Sequence, residues 1–509
     1  MFRFLLIVLV AYKVTSLKVL VVTPNVSYSH LAFAGRFADL LVDKKHDVDF
    51  LIPLWNRFVL GNGTQKARVR RIELKNTNEI EADLKKLVML GDVFAMEITS
   101  ATRIQYGNID SKSCEGILSN RRLLHKLKKA DYDVALAEYF DPCSFALFHH
   151  LGIKSVHMIS AVPLDEQTAV ANAEPIDFSY VPSKLMVHLI NELKDKVTRK
   201  FLGSRFPSTV DLLQNIDYFW LNTNEFVDTP RATSPRFKHV GGIAVKAPGR
   251  LSPELEKLMN SATGGVVLIS FGSIVRTTEM PQRVQNVFIE TFAHFPTITF
   301  IWKVTKVDAN LTSLLPLNVK LVEWMDQTAI LQHANTLAFV THGGLNSINE
   351  AAMYGIPLIG ILFFSDQHIN IAAAIRRGFG RSLDRKQLNL KGLIEALSDV
   401  LHNPRYRENA ANIRLMTVNS PIKSVDLFVQ HVEFAARVKN VAKALRLPAA
   451  SDQTFWSRFH LELLLVTFVI SFIFVHFSIA IVSYFIRGLR NHRSLLNISS
   501  VKPIQKKVL

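Results

Sequence analysis

A chain of 509 residues with 60 Lys and Arg against 43 Asp and Glu has room for two domains and a formal net charge of +17. The basic residues are scattered and no nucleic-acid module motif occurs, so a basic exterior near an anionic membrane explains the charge better than nucleic-acid binding. Two cysteines, Cys114 and Cys143, allow at most one bridge and exclude a disulfide scaffold.

Residues 1–16 hold Arg3, a short apolar run from Phe4 to Val10 and small residues near Ser16, the pattern of a secretory signal peptide. A first domain is expected over 17–227. It opens on KVLVVT, a continuous apolar strand of the kind a parallel sheet buried on both faces requires. A helix with Leu31, Ala34, Phe37, Ala38 and Leu41 on one side follows, then the strand VDFLIP. This unit leaves His30 at the mouth of the first loop, the ligand end of a parallel sheet. Residues from Trp55 to about Arg122 are mixed, basic and weakly periodic. YDVALAEY then reads as a strand with Glu138 at its end, followed by helix SFALFHHLG and strand SVHMIS.

After Asp217 the text is rich in proline, glycine and polar residues, and 228–262 is predicted as an inter-domain linker. The second domain is expected over 263–460. Its first strand, GGVVLISFGS, ends at Gly272-Ser273, a loop able to present N–H groups and a hydroxyl to phosphate. No HExxH and no paired cysteines at zinc spacing occur. The triplets Asp47-Val48-Asp49 and Asp131-Tyr132-Asp133 precede strands and read as turn residues, so no metal is expected.

Trp324 to Gln367 concentrates the chemistry: WMDQTAILQHANTLAFVTHGGLNSINEAAMYGIPLIGILFFSDQ. An apolar run enters Thr341-His342-Gly343-Gly344, a helix with Ser347 and Glu350 follows, and Gly355-Ile356-Pro357 closes it before a second apolar run. Strand, glycine turn, helix, turn and strand follow one another. The glycines let backbone approach a ligand, and the helix start offers unpaired N–H groups and a positive dipole end suited to a diphosphate.

With W-x-x-Q, H-G-G-x-N, E, G-I-P and D-Q in order, this stretch resembles the signature box of the UDP-glycosyltransferases, in particular the membrane-bound UDP-glucuronosyltransferase branch of animals. Leu362 departs from it, where many relatives carry proline. The resemblance implies an α/β fold of GT-B type, two Rossmann-like domains facing a cleft. It implies that Trp324 stacks on uracil, Gln327 reads the ribose or base, and His342 holds the diphosphate beside Gly344 and Asn346. Glu350 would bond the ribose hydroxyls, Asp366 and Gln367 the sugar hydroxyls, and Ser273 a phosphate. His30 would be the catalytic base and Glu138 its orienting carboxylate, one methylene longer than the family's aspartate. The residues from Trp55 to about Arg122 would line the acceptor pocket.

From Pro404 the chain reads as helical and basic, resembling the family's closing helices that cross back toward the first domain. Residues 461–486 form an apolar stretch, broken by Glu462 and His476, long enough to span a bilayer. The tail 487–509 carries six Lys or Arg and no Asp or Glu, which places it in the cytosol and the main body in the lumen. Lys506-Lys507 near the end resembles a dilysine signal for the endoplasmic reticulum membrane. Asn62-Gly63-Thr64 and Asn310-Leu311-Thr312 are sequons. Asn25-Val26-Ser27 also fits, beside the expected active site.

The expected activity is inverting transfer of glucuronate or glucose from a UDP-sugar co-substrate to small lipophilic acceptors. The expected partners are those two substrates and the bilayer, with homo-oligomerisation left open. A sphingolipid hexosyltransferase of the same branch, and a catalytically weak regulatory relative that binds UDP-sugar or lipophiles, stand as alternatives.

Overall fold

The structure, a computed structural model, describes residues 16–87, 100–141, 143–164, 166–174, 184–272, 275–363, 366–452 and 461–497. Residues 1–15, Ser273 and the Lys506-Lys507 pair lie outside that set.

Two parallel sheets have the apolar runs as their central strands. The first contains β1 (Lys18–Val22), β2 (Asp47–Pro53), β3 (Arg68–Ile72), β4 (Val134–Glu138), β5 (Ser155–Ser160), β6 (Tyr218–Leu221) and β7 (Phe237–His239). Their order is β3-β2-β1-β4-β5-β6-β7. The second contains β8 (Val266–Ser270), β9 (Thr299–Lys303), β10 (Val319–Val322), β11 (Thr336–Thr341), β12 (Leu358–Leu362) and β13 (Gly380–Asp384), in the order β10-β9-β8-β11-β12-β13. The central strands are sealed on both faces: Val19 to Val22 and Val266 to Leu268 have no exposed surface. That accounts for their unbroken hydrophobicity. In each sheet the strand order reverses beside the first strand, between β1 and β4 and between β8 and β11. At such switch points diverging loops open a crevice at the carboxyl ends.

The proline- and glycine-rich text after Asp217 contains regular elements, two of them within the stretch 228–262 read as linker. Tyr218–Leu221 and Phe237–His239 complete the first sheet, and the helix Pro253–Ser261 buries Leu255 and Met259 in the second domain's core. Four buried residues in β6, and in β7 a single buried Phe237 beside two half-buried residues, are too short to stand out among prolines and glycines. The first Asp triplet is not a turn, whereas the second precedes β4 as read. Asp47 and Asp49 lie inside β2, and buried Asp49 accepts hydrogen bonds from Arg68, Arg70 and Tyr132. Asp131 caps a helix in the left-handed conformation and Asp133 accepts from the Lys18 N–H.

The closing helix Ser424–Arg437 packs on the first domain. Phe428 meets Phe37 and Trp220 edge-on at 4.7 and 5.1 Å, and Val429, Val432 and Ala435 continue the same face. Burying Phe428 contributes about 2–3 kcal/mol, so this helix clamps the second domain's end onto the first. The two domains also meet directly, where the Arg377 guanidinium donates to the carbonyls of Val227 and Asp228. A disulfide joins Cys114, on the helix Ser100–Leu118, to Cys143, which begins the helix Cys143–Leu151.

Residues 448–509 form a separate unit. It carries the helix Leu461–Asn497, within which the 26 residues Leu465–Arg490 have a mean hydropathy of 2.6 and no buried share. Among the described residues this is one helix long and apolar enough to cross a membrane.

Candidate active site

The predicted catalytic pair falls at the first sheet's switch point, and the described donor-site residues follow the carboxyl ends of β10, β11 and β12 in the second. On the first sheet the loop after β1 enters the helix Tyr28–Asp43, whose third residue is His30. Glu138 ends β4, the neighbouring strand. The longer side chain still reaches: Glu138 Oε1 lies 3.0 Å from His30 Nδ1. Glu138 is 1% exposed and its oxygens also accept from the N–H groups of Phe140 (2.9 Å) and Ala161 (3.3 Å). A carboxylate fixed by backbone donors accepts, which assigns the proton to Nδ1 and leaves Nε2 as the acceptor nitrogen. Phe140 packs against the imidazole at 4.6 Å, with Tyr139 at 4.0 Å and Tyr106 at 5.6 Å from Phe140, an aromatic wall beside the base.

Behind that wall sit groups that sequence reading missed. Lys194 and Asp110 form a buried ion pair at 2.7 Å, and Asp141 is fully buried with Ser144 donating to it. Burial pushes the Asp141 carboxyl up to about 7, and the Asp110 charge adds to the shift.

On the second sheet the loops after β8 and β11 close around His342. Gly272 and Gly343 adopt positive φ (+76° and +86°), and a Cβ at Gly272 or Gly344 would lie 2.8 or 2.5 Å from the His342 ring. Only glycine leaves that slot open. Burial pulls the imidazole down to about 4, and the nearby Lys303 charge adds to it. At neutral pH His342 is therefore uncharged, and beside it stands the Lys303 amine, whose pKa burial lowers. Lys303 ends β9, donates to the Gly272 carbonyl at 3.2 Å and stands 5.2 Å above the Trp324 ring. Its place at the carboxyl end of a parallel strand was the signal that could have found it.

Trp324 is 72% exposed, so its ring is open to a planar partner. Gln327 begins a helix and donates to Glu350. Burial pushes Glu350 up to about 7 against that bond, with Asp326 adding to the shift. Gly344 caps the helix Leu345–Tyr354, which aims its free N–H groups into the turn. Asn346 Oδ1 accepts from Asn222 of the first domain at 2.7 Å. Asp366 caps the helix Gln367–Arg376 and accepts from Asn370, whose amide also holds the Gly343 carbonyl. Gln367 is buried and its carbonyl accepts from Phe363 N–H at 2.8 Å, so it faces the turn's own backbone. At the departure from the family pattern, Leu362 continues β12 in register with Asp384.

A family model described as "UDP-glucoronosyl and UDP-glucosyl transferase" matches residues 17–200 and 183–492. A putative UDP-glucuronosyltransferase of Caenorhabditis elegans (ugt-47) is 28% identical over 493 residues, covering 90% of this chain and 91% of that protein. UDP-glucuronosyltransferase 2B18 of Macaca fascicularis is 29% identical, covering 85% and 86%. Among solved structures, the kitacinnamycin glycosyltransferase matches with a TM-score of 0.59 at 18% identity, covering 82% of this chain and 97% of its own. A UDP-glucosyltransferase of Polygonum tinctorium that glucosylates indoxyl gives 0.59 at 16% identity, covering 83% and 99%. These two carry the fold, a GT-B arrangement of two Rossmann-like domains. With the family model spanning both sheets and their switch-point loops, the chain belongs to the UDP-glycosyltransferase family and is a glycosyltransferase.

Proposed function

We propose that the chain transfers glucuronate or glucose from its UDP-sugar, with inversion, to a small lipophilic acceptor bearing a hydroxyl, amine or acid. The observation that carries this reading is the His30–Glu138 bond at the first switch point. There a carboxylate-oriented base stands at the ligand end of the first sheet. Acceptor proton transfer goes to His30 Nε2 while Glu138 stabilises the imidazolium. The acceptor atom bonds to the anomeric carbon as the carbon–phosphate-oxygen bond breaks on the opposite face, which inverts the configuration. Negative charge then grows on the leaving diphosphate. Lys303, the neutral His342, the helix start after Gly344 and Ser273 stabilise it without a metal. Trp324, Gln327 and Glu350 hold the uridine, and Asp366 meets the sugar hydroxyls, with Gln367 fixing the turn beside it through Phe363. The wall of Tyr106, Tyr139 and Phe140 supports a lipophilic acceptor.

The apolar helix Leu465–Arg490 followed by a basic tail supports a single-pass anchor with the catalytic domains in the lumen of the endoplasmic reticulum. The Cys114–Cys143 bridge fits that oxidising compartment.

The test is turnover of full-length protein in microsomes, with UDP-glucuronate and UDP-glucose supplied separately against a panel of phenols. A conjugate detected by mass with either donor supports the reading and names the sugar. No conjugate with either donor, despite measurable UDP binding, overturns it in favour of the regulatory alternative.

A further inference from the structure

The catalytic pair and the donor-site helix are joined by an unbroken run of hydrogen bonds with one side chain at its centre. Glu138 Oε1, which holds His30, also accepts from the Ala161 N–H at 3.3 Å. The carbonyl of the same residue accepts from Asn222 Nδ2 at 3.2 Å. Asn222 Nδ2 donates again, across the domain boundary, to Asn346 Oδ1 at 2.7 Å. One turn further along that helix, Asn349 Nδ2 donates to the Asn222 backbone carbonyl at 2.7 Å and to its side-chain oxygen at 3.1 Å.

Asn222 and Asn349 are each 1% exposed. The amide orientation is fixed: a carbonyl can only accept, so the Asn222 atom facing Ala161 must be the nitrogen. Asn222 also follows β6 directly, its own N–H bonded to Ser160 at the end of β5. It therefore rests on the strand that delivers Ala161 to Glu138.

We propose that Asn222 is a positioning residue that couples the seating of the donor-site helix to the orientation of the His30–Glu138 pair. The inference rests on the assignment of that pair as catalytic. Its chemistry requires an amide. Two acceptors and one donor converge on the side chain, and neither a carboxylate, which repels both acceptors, nor an alkyl group satisfies all three. A residue that merely glued the domains together would not sense the state of Glu138.

The experiment is a double-mutant cycle on the full-length protein in membranes, with kcat, KM for UDP-sugar and UDP affinity read for each variant. Asn222→Asp is expected to lower kcat by about tenfold or more while UDP affinity changes far less. In a Glu138→Gln background the same change is expected to cost less than about threefold, because the coupling is already broken. Should Asn222→Asp fail to bind UDP, Asn349→Ala removes the two bonds from the donor side only and is read through the same cycle. An equal loss of kcat in both backgrounds overturns the coupling while leaving the enzyme reading intact. A wild type that binds UDP but transfers no sugar overturns the enzyme reading itself, and with it this inference.

Discussion

Glu138 is the residue whose replacement separates catalysis from stability most cleanly. Its buried carboxylate accepts from His30 Nδ1, Phe140 N–H and Ala161 N–H. Alanine would strand two buried backbone donors at about 1–3 kcal/mol each, so Glu138→Ala should lose about 2–6 kcal/mol of stability as well as activity. Glutamine keeps the volume and one accepting oxygen for the backbone. Its amide can donate to Nδ1, which moves the imidazole proton onto Nε2, the wrong nitrogen for a base. Glu138→Gln should therefore unfold within a few degrees of wild type, bind UDP normally and lose about 10²- to 10⁴-fold in kcat. That is about 2.7–5.5 kcal/mol of barrier. Saturating kcat, thermal unfolding and UDP affinity measured on one preparation decide it. A Glu138→Gln enzyme within about threefold of wild-type kcat would refute the dyad argument.

The affinity for UDP-sugar should depend on pH through Glu350. Its carboxyl, pushed up to about 7 by burial, accepts hydroxyl donors more strongly when ionised, so affinity should fall as pH drops through 7. Glu350→Gln should flatten that profile, and a wild-type Kd constant between about pH 6 and 8 would contradict the role. Lys303→Met should raise KM for UDP-sugar by about tenfold or more through loss of its amine, and an unchanged KM removes Lys303 from the site. Lys194→Ala leaves Asp110 as an unpaired buried charge and should cost about 3–5 kcal/mol in unfolding experiments, against little change if water already reaches the pair. Asn25 is sealed, its amide bonded to the carbonyls of Asn56 and Val59 and accepting from Trp55 N–H, whereas Asn62 and Asn310 are exposed. Deglycosylation should then reveal glycans lost in Asn62→Gln and Asn310→Gln and none lost in Asn25→Gln.

What could be read from the sequence follows from where each residue is buried. The central strands announce themselves because both faces are covered, so KVLVV, VALAE and VVLIS carry almost no polar interruption. The glycines and His342 are legible because the turn tolerates nothing else. β3 is not: as the edge strand RVRRI it is half-exposed and its Arg68 and Arg70 pair with Asp49, so it shows no apolar run. β6 and β7 hide because a few buried residues lie among loop residues. Lys303 looks like the polar end of any strand, and Asn222 like linker text. Their roles come from partners far along the chain, Gly272 and Trp324 for the first and Ala161, Asn346 and Asn349 for the second. No local pattern encodes such pairings. Gln367 illustrates the converse, since its place in the motif did not disclose that its carbonyl would be taken by Phe363.

The central claim is that His30 removes the acceptor proton while the other domain holds the nucleotide. It is tested most directly by kcat and UDP-sugar affinity of His30→Ala beside wild type, with the same phenol and donor. Loss of about 10²-fold or more in kcat, with affinity within about threefold, is the predicted result. A variant that conjugates the phenol at close to the wild-type rate would contradict the account.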